Sequence, residues 1–280
     1  MRVGNLMGRL VIVTQDGAAA VDVASASSGR FGPDPLSIFA EWSAFRAWAT
    51  TAGLAGAQPI EMSDLGAPAP EPRQLFAIGL NYLDHAAESG IAAPDEPTVF
   101  TKWTSCLSGP VTEVVLPDGG KPDWEVELVV VLGEGGRRIR ESDAWSHVAG
   151  ITLGQDLSER AMQLAGPAPQ WSLGKSLPGF GPMGPWLVTV DEFENPDDLE
   201  LGCAVNGEQV QRGQTRDLIF PVPVLIAKLS AALTLYAGDV IFTGTPPGVG
   251  VARTPQRFLK PGDELVSYLE GVGELRQRFV

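Results

Sequence analysis

Residues 123–131 constrain the fold more than any other stretch of the chain. Their sequence, Asp-Trp-Glu-Val-Glu-Leu-Val-Val-Val, is apolar and β-branched, which predicts a strand. Because side chains alternate faces along a strand, Asp123, Glu125 and Glu127 should share one face. The apolar run 128–131 that ends the stretch is typical of a buried strand. The sequence therefore predicts a row of carboxylates at the edge of the core.

Spacing alone leaves two interpretations of this acidic face open. Carboxylates about 7 Å apart on a half-buried strand repel each other unless a cation lies between them. A site of carboxylate oxygens suits Mg²⁺ or Mn²⁺. The alternative is a solvated acidic face, because the chain has 34 acidic and 20 basic residues and a net charge of −14.

The composition indicates a globular protein and disfavours several kinds of partner. The 280 residues, 44% hydrophobic and 19% charged, suit one large domain or one domain plus a small one. The acidic balance makes nucleic acid and anionic membrane surfaces poor partners. No apolar run approaches the roughly 18 residues of a membrane span. Cys106 and Cys203 lack metal-like spacing and are interpreted as reduced thiols, which predicts a cytoplasmic location.

We expect an α+β, β-rich fold with a boundary near residue 70. Residues 55–73 are rich in Ala, Pro and Gly, which is a linker composition. The boundary separates a small N-terminal α+β domain, residues 1–70, from a catalytic domain, residues 71–280. Further strands are predicted at residues 75–81, 97–102, 148–155 and 238–243, a hairpin at 203–211, and helices at 83–88 and 223–233.

His85 and Glu88 form the first candidate catalytic pair. If residues 83–88 are helical, the two side chains lie at i and i+3 on one face. A carboxylate placed there can orient an imidazole as a general base. An ordinary surface ion pair is the alternative. The chain has 2 histidines, and the other, His147, is interpreted as structural.

Asp156 is a third candidate carboxylate. It follows the predicted strand 148–155, so it could complete a metal site with the two glutamates of the acidic strand, or it could cap the next helix. Arg160 and Gln163, four and seven residues later, would project from the same helix face.

Lys175 stands between a glycine and a serine and near Trp171 and Phe180. A substrate-facing ammonium and a core lysine with a buried stem both fit this setting. Residues 243–250 form a Gly-rich loop, whose backbone N–H groups could approach an anion closely. The loop matches neither a P-loop nor a dinucleotide fingerprint.

Taken in order, these motifs resemble the fumarylacetoacetate hydrolase family over about residues 72–280. The matching stretches are Gly79-Leu80-Asn81-Tyr82 with His85 and Glu88, Phe100-Thr101-Lys102, Glu125-Val126-Glu127-Leu128, Asp156-Leu157-Ser158-Glu159-Arg160, Gly174-Lys175-Ser176, Gly184-Pro185-Trp186, Asn206-Gly207-Glu208, and Gly238-Asp239-Val240-Ile241 through Thr243-Gly244-Thr245-Pro246.

The resemblance implies a fold, a metal and a set of site residues. The family fold is a mixed β-sandwich roll with peripheral helices, commonly dimeric, so a homodimer is expected. Family members bind Mg²⁺, sometimes Mn²⁺ or Ca²⁺. The roles implied here are metal ligation by Glu125, Glu127 and Asp156, water activation by His85 and Glu88, oxyanion stabilisation by Arg160, Gln163 and Lys175, and substrate contact by Thr245 with Gly244 and Tyr82.

The resemblance also narrows the chemistry. Ile78 occupies the position at which the larger members carry a fourth carboxylate ligand. The chain is therefore similar to the three-carboxylate branch, which acts on acylpyruvates, oxaloacetate and related 2-oxo acids. We expect a metal-dependent hydrolase that cleaves a C–C bond in an acylpyruvate or related β-diketo acid. The alternatives are decarboxylation of oxaloacetate, isomerisation of an unsaturated 2-oxo diacid, and a non-catalytic ligand-binding protein.

Overall fold

The computed structural model describes all 280 residues, and strands dominate it. The strands β1–β19 are Arg2–Leu6, Arg9–Val13, Ala19–Asp22, Gln58–Pro59, Leu65–Gly66, Leu75–Gly79, Thr98–Thr101, Leu107–Ser108, Val111–Val114, Pro122–Asp123, Val126–Leu132, Val148–Gln155, Ser158–Glu159, Gly181–Val188, Glu200–Val205, Glu208–Gln214, Val240–Phe242, Glu264–Leu269 and Gly273–Phe279.

The helices are short and peripheral. The α-helices α1–α6 are Val23–Ala26, Trp42–Ala49, Leu83–Glu88, Arg160–Gln163, Trp171–Gly174 and Val222–Ala232. Short 3-10 helices occupy Ser37–Glu41, Met62–Asp64, Thr104–Cys106, Glu141–His147, Val190–Glu192, Thr215–Asp217 and Gly250–Ala252. No helix combines the length and the apolar character that crossing a membrane requires.

Two mixed sheets form the body of the protein. The larger has 12 strands, with the main order β4-β3-β2-β1-β14-β12-β11-β17-β6-β7 and with β5 and β8 pairing at its side. The smaller has 5 strands in the order β16-β15-β18-β19-β9, and β10 and β13 form a separate pair. The largest apolar cluster joins residues of both sheets, such as Leu128 of β11 and Leu201 of β15. The expected β-rich α+β class, a sandwich roll with peripheral helices, is confirmed.

Strand β11 lies in the centre of the large sheet. It pairs antiparallel with β12 on one side and with β17 on the other. All 7 of its residues are buried, as expected for a β-branched run covered on both faces. Val126 and Val130 pack in the cluster between the sheets, while Val129 and Val131 pack in a second cluster on the opposite face.

The prediction of one continuous strand from Asp123 is wrong at Trp124 and Glu125, where β10 and β11 are interrupted. The Asp123 carboxylate accepts the N–H of Trp124 at 2.8 Å and that of Gly250 at 2.7 Å. Such local side-chain bonds compete with a backbone ladder. The interruption turns Glu125 toward Asp156, whose N–H donates to the Glu125 carbonyl at 2.8 Å.

The first seventy residues contribute strands to the large sheet. Strand β1 pairs antiparallel with β14, with Arg2 opposite Val188. The second apolar cluster contains Val3 and Phe45 from this region together with Leu187 and Phe242 from later in the chain. The division near residue 70 stays a prediction.

Candidate metal centre and active site

Three buried carboxylates converge where β11 begins and β12 ends. The antiparallel register places Val126 opposite Gln155, so Glu125 and Glu127 flank the point at which Asp156 leaves β12. One ligand oxygen from each of the three side chains lies within 4.8 Å of the others. These are the three metal ligands expected from the sequence, and a single ion could reach all of them.

Two of the three carboxylates are paired with buried cations. The Nζ atom of Lys175 lies 2.6 Å from Glu125 Oε2 and 2.6 Å from Asp156 Oδ2. The Nη2 atom of Arg160 lies 2.8 Å from Glu125 Oε1. Glu127 forms no ion pair, and its one hydrogen bond comes from the backbone N–H of Gly244 at 2.8 Å.

This difference in partners separates the pKa values of the two glutamates. Burial, followed by the charges of Asp156 and Glu125, holds the pKa of Glu127 well above its ordinary value. Burial also opposes ionisation of Glu125, but Lys175 and then Arg160 outweigh it and lower its pKa to about 2. The cluster therefore lacks positive charge beside Glu127. A hard divalent cation would supply that charge, and an all-oxygen donor set fits Mg²⁺ or Mn²⁺.

Lys102 is part of this charge network, although the sequence did not identify a role for it. Its Nζ atom donates to Asp156 Oδ1 at 2.7 Å and to the carbonyls of Phe180, at 3.1 Å, and Lys175. The residue is 2% exposed. Its three N–H donors are all used, so Lys102 holds Oδ1 of Asp156 and leaves Oδ2 facing Lys175. In the sequence, only the family motif Phe100-Thr101-Lys102 pointed to Lys102.

His85 and Glu88 pair on α3 as predicted. Nδ1 of His85 lies 2.8 Å from Glu88 Oε1, and the imidazole is 7% exposed. With the Nδ1 proton donated to Glu88, the basic lone pair is on Nε2. The Glu88 carboxylate also accepts the N–H of Gly248 at 2.9 Å. Glu88 therefore orients the imidazole and attaches α3 to the Gly-rich loop after β17.

A cavity of about 230 Å³ joins the His85–Glu88 pair to Glu125, one of the three carboxylates. It is lined by Ile78, Gly79, Leu80, His85, Glu88, Ser89, Ile91, Glu125, Arg160, Gln163, Leu164, Trp171, Lys175, Thr245, Val251 and Ala252. Every residue expected to be catalytic lies in this wall. Ile78 also lines it, so the position of the additional family carboxylate provides no ligand here.

Tyr82 and Gly244 lie outside that wall. Tyr82 is 2% exposed and its hydroxyl has no hydrogen-bond partner. It borders a different depression, together with Arg212 and Arg216. The backbone N–H of Gly244 donates a hydrogen bond to the Glu127 carboxylate. Direct substrate contact by these two residues stays a prediction.

Arg160 and Gln163 project together from α4. The alternative role of Asp156 as the helix cap is wrong, because the Glu159 side chain caps α4 by accepting the N–H groups of residues 161 and 162. Arg160 Nη1 donates to Gln163 Oε1 at 2.9 Å, and Arg160 Nε donates to Asp123 Oδ2 at 2.9 Å. Asp123 thus anchors the guanidinium, and the Gln163 NH₂ group remains a free donor beside the cavity.

Comparison with known proteins identifies this arrangement. Residues 74–280 match the model of the family described as fumarylacetoacetate (FAA) hydrolase, C-terminal. The chain belongs to the fumarylacetoacetate hydrolase family. A curated relative, the human mitochondrial oxaloacetate tautomerase FAHD2A, is 46% identical over 215 residues, which are 76% of this chain and 68% of that protein.

Solved structures of family members have the same fold along the whole chain. One is a Mycobacterium smegmatis protein provisionally assigned as HpcE, which is 59% identical to this chain. The two structures have a TM-score of 0.96, and the match covers 100% of this chain and 99% of the other. Maleylpyruvate hydrolase from Sphingobium sp. SYK-6, in complex with manganese(II) and pyruvate, is 30% identical, with a TM-score of 0.82 over 100% and 99%. The chain is therefore an enzyme of the hydrolase, isomerase or tautomerase type found in this family.

Proposed function

We propose that this protein is a divalent-metal-dependent hydrolase that cleaves a C–C bond in an acylpyruvate or a related β-diketo acid. One observation carries the proposal: the His85–Glu88 pair lines the same small cavity as Glu125, which belongs to the centre of three carboxylates. A hydrolase needs both, because one activates water and the other holds the 2-oxo acid. The manganese(II) and pyruvate in the maleylpyruvate hydrolase structure support this arrangement.

The chain's residues divide the work of the reaction. A divalent ion, Mg²⁺ or Mn²⁺, held by Glu125, Glu127 and Asp156 would supply Lewis-acid polarisation of the 2-oxo acid. His85 removes a proton from water through Nε2, while Glu88 holds the imidazole in place. The resulting hydroxide adds to the distal carbonyl carbon.

Three donors are placed to stabilise the tetrahedral oxyanion. Arg160, Gln163 and Lys175 line the same cavity and can donate hydrogen bonds to developing negative charge. When the intermediate collapses, the C–C bond breaks and its electron pair stays on the pyruvate fragment. Protonation of that carbon by the imidazolium of His85 yields pyruvate and a carboxylic acid, which balances the reaction.

Tautomerisation or decarboxylation of oxaloacetate, or isomerisation of an unsaturated 2-oxo diacid, is the second candidate. The human relative at 46% identity is named an oxaloacetate tautomerase. These reactions use the carboxylate centre and proton transfer but no attack by water. They therefore depend less on an imidazole that activates water.

A comparison of variants on two substrates tests the proposal. Asp156→Ala should abolish metal-dependent turnover of both acetylpyruvate and oxaloacetate. His85→Ala should lower acetylpyruvate hydrolysis by about 10²–10⁴-fold, the usual contribution of a general base, while Asp84→Ala, on the exposed side of α3, should leave it unchanged. Full activity of Asp156→Ala after chelator treatment would exclude the proposed centre. Oxaloacetate conversion without acetylpyruvate hydrolysis in the wild type would favour the second candidate.

Assembly and location complete the proposal. We propose a homodimer that works in the cytoplasm on a small 2-oxo or β-diketo acid, without nucleic-acid or membrane partners. Light scattering after size-exclusion chromatography would measure the mass against the 29.6 kDa of one chain.

A further inference from the structure

Two buried glutamines hold the backbone between the metal-ligand candidates. The N–H of Glu125 donates to Gln155 Oε1 at 2.8 Å, and the N–H of Val126 donates to Gln211 Oε1 at 3.0 Å. The first of these N–H groups lies in the interruption between β10 and β11, and the second belongs to the first residue of β11. Side-chain amides therefore provide the acceptors that a continuous ladder would provide elsewhere.

Gln211 reaches a second part of the site with its other end. Its Nε2 atom donates to Thr245 Oγ1 at 2.8 Å and to the Pro246 carbonyl at 2.7 Å. The residue lies on β16 of the smaller sheet and is 2% exposed. One side chain thus connects β11, the Gly-rich loop and the smaller sheet.

Only a carboxamide can make this set of contacts without adding charge. Gln211 accepts hydrogen bonds from the Val126 N–H and, at 3.3 Å, from the Cys203 thiol, and it donates two. A carboxylate only accepts, and a methionine makes neither kind strongly. A carboxylate would also add negative charge next to the buried acids at Glu125 and Glu127. The chemistry of the position therefore fits glutamine and disfavours both replacements.

The contact determines what Thr245 can present to a substrate. The Thr245 hydroxyl donates its proton to the Val126 carbonyl at 2.9 Å and accepts from Gln211. Its single O–H donor is therefore used. The backbone N–H of Thr245, by contrast, donates to no group of the chain. Because Thr245 lines the cavity, its N–H is the donor it has left for an anionic oxygen.

We propose that Gln211 is a positioning residue of this site, a role that rests on the proposed function. It fixes Thr245 so that the backbone N–H, rather than the hydroxyl, binds a carboxylate or carbonyl oxygen of the 2-oxo acid. It also holds Val126, and with it the orientation of the carboxylates on either side. Gln155, at the end of β12, accepts the N–H of Glu125 and so holds the same segment from the neighbouring strand of the large sheet.

Calorimetry on folded variants tests the two contacts separately, with Mn²⁺ and pyruvate as probes. Gln211→Met removes both contacts and should weaken Mn²⁺ binding several-fold and pyruvate binding to the Mn²⁺-loaded protein by roughly tenfold, the effect of about one hydrogen bond to a charged group. Gln211→Glu keeps the acceptor for Val126 but loses both donors. It should weaken pyruvate binding by a similar factor while Mn²⁺ affinity falls less.

A matched control comes from a buried glutamine away from the site. Gln277, on β19, donates to the Pro110 carbonyl at 3.0 Å and is 0% exposed. Gln277→Met should leave both affinities at the wild-type value. If Gln211→Met does not fold, Gln211→Glu decides the question through pyruvate binding. Pyruvate affinity within about twofold of the wild type in the folded Gln211 variants overturns the proposal.

Turnover provides an independent readout. With an acylpyruvate as substrate, the Gln211 variants should raise KM by more than they lower kcat, since Thr245 binds a group that does not react. If the wild type hydrolyses no acylpyruvate, the proposed function fails, whereas the pyruvate and Mn²⁺ titrations still support or overturn the role of Gln211.

Discussion

Glu125 and Glu127 are two residues apart and both buried, yet their charges are compensated in different ways. Glu125 is in contact with Lys175 and Arg160, while Glu127 accepts one backbone N–H. A buried carboxylate without a cation lowers stability, because burial disfavours the charged form. The metal-ligand candidate that most needs an ion is therefore Glu127.

We expect Glu127→Gln to stabilise the metal-free protein and to weaken Mn²⁺ binding. The pKa of Glu127 in the folded protein is raised above its ordinary value of 4.5. The contribution of protonated Glu127 to the free energy of unfolding is therefore fully present below pH 4.5 and is lost as the pH rises through the folded-state pKa. The variant should melt higher than the wild type at pH 8, by roughly 2–8 °C, and the difference should shrink as the pH falls toward 4.5. Melting curves with chelator across this range measure it. A difference independent of pH would contradict the explanation.

Lys102 shows the opposite case, a buried cation with every donor used. We expect Lys102→Met to destabilise the protein by about 3–5 kcal/mol, because it removes one of the two cations paired with the buried Asp156 and leaves two carbonyls without their donor. Lys228→Met is the matched control, since Lys228 pairs with Glu96 on the surface and should change stability by less than about 1 kcal/mol. Urea denaturation of both variants measures the two values. Equal losses would mean that the Lys102 network contributes no more than a surface pair.

The site depends on how helix α3 is attached to the loop after strand β17. Glu88 makes that attachment through the N–H of Gly248 while it also orients His85. A helix of 6 residues has little stability of its own. Its position over the cavity therefore depends on such tertiary contacts.

We expect Glu88→Ala to loosen α3 without unfolding the protein. Backbone amides of residues 85–90 and of Gly248 should exchange with deuterium several-fold faster, while those of β11 keep wild-type protection, because local opening requires only the lost contacts. Hydrogen-exchange mass spectrometry measures this. Asp84→Ala, a change on the same helix that touches neither residue, is the control. Unchanged exchange in Glu88→Ala would show that other contacts hold the helix.

The sequence predicted the parts of the site that depend on local pattern. The strand leading to Glu127, the i, i+3 spacing of His85 and Glu88, and the carboxylate after β12 follow from periodicity and short motifs. The roles of Lys102, Gln155 and Gln211 did not follow, because the carboxylate and the two backbone N–H groups that they contact lie 30 or more residues away, and for Gln211 in another sheet. The interruption at Trp124 was missed for the same reason, since it depends on N–H groups that approach Asp123 from Gly250.

The N-terminal strands and the strands that carry the site form one sheet. Strand β1 covers the edge of β14, and the second apolar cluster combines residues from before and after residue 70. The Ala, Pro and Gly content of residues 55–73 predicted a domain boundary. A tightly packed loop can have the same composition as a linker, so composition alone does not distinguish the two. Ala67 and Ala69, 4% and 0% exposed, are buried within that stretch.

We therefore expect residues 71–280, expressed alone, not to fold cooperatively. Without β1, the edge of β14 has no partner, and Leu187, Val129 and Phe242 lose the apolar side chains of Val3 and Phe45 that share their cluster. Thermal unfolding followed by circular dichroism, together with dye binding to exposed apolar surface, measures the outcome. The full chain with a protease site inserted at residues 53–56, cut after folding, is the control, because it breaks the backbone but keeps both parts. A cooperative transition within about 5 °C of the full chain would instead establish two independent domains, and the site would then be built by the later part of the chain alone.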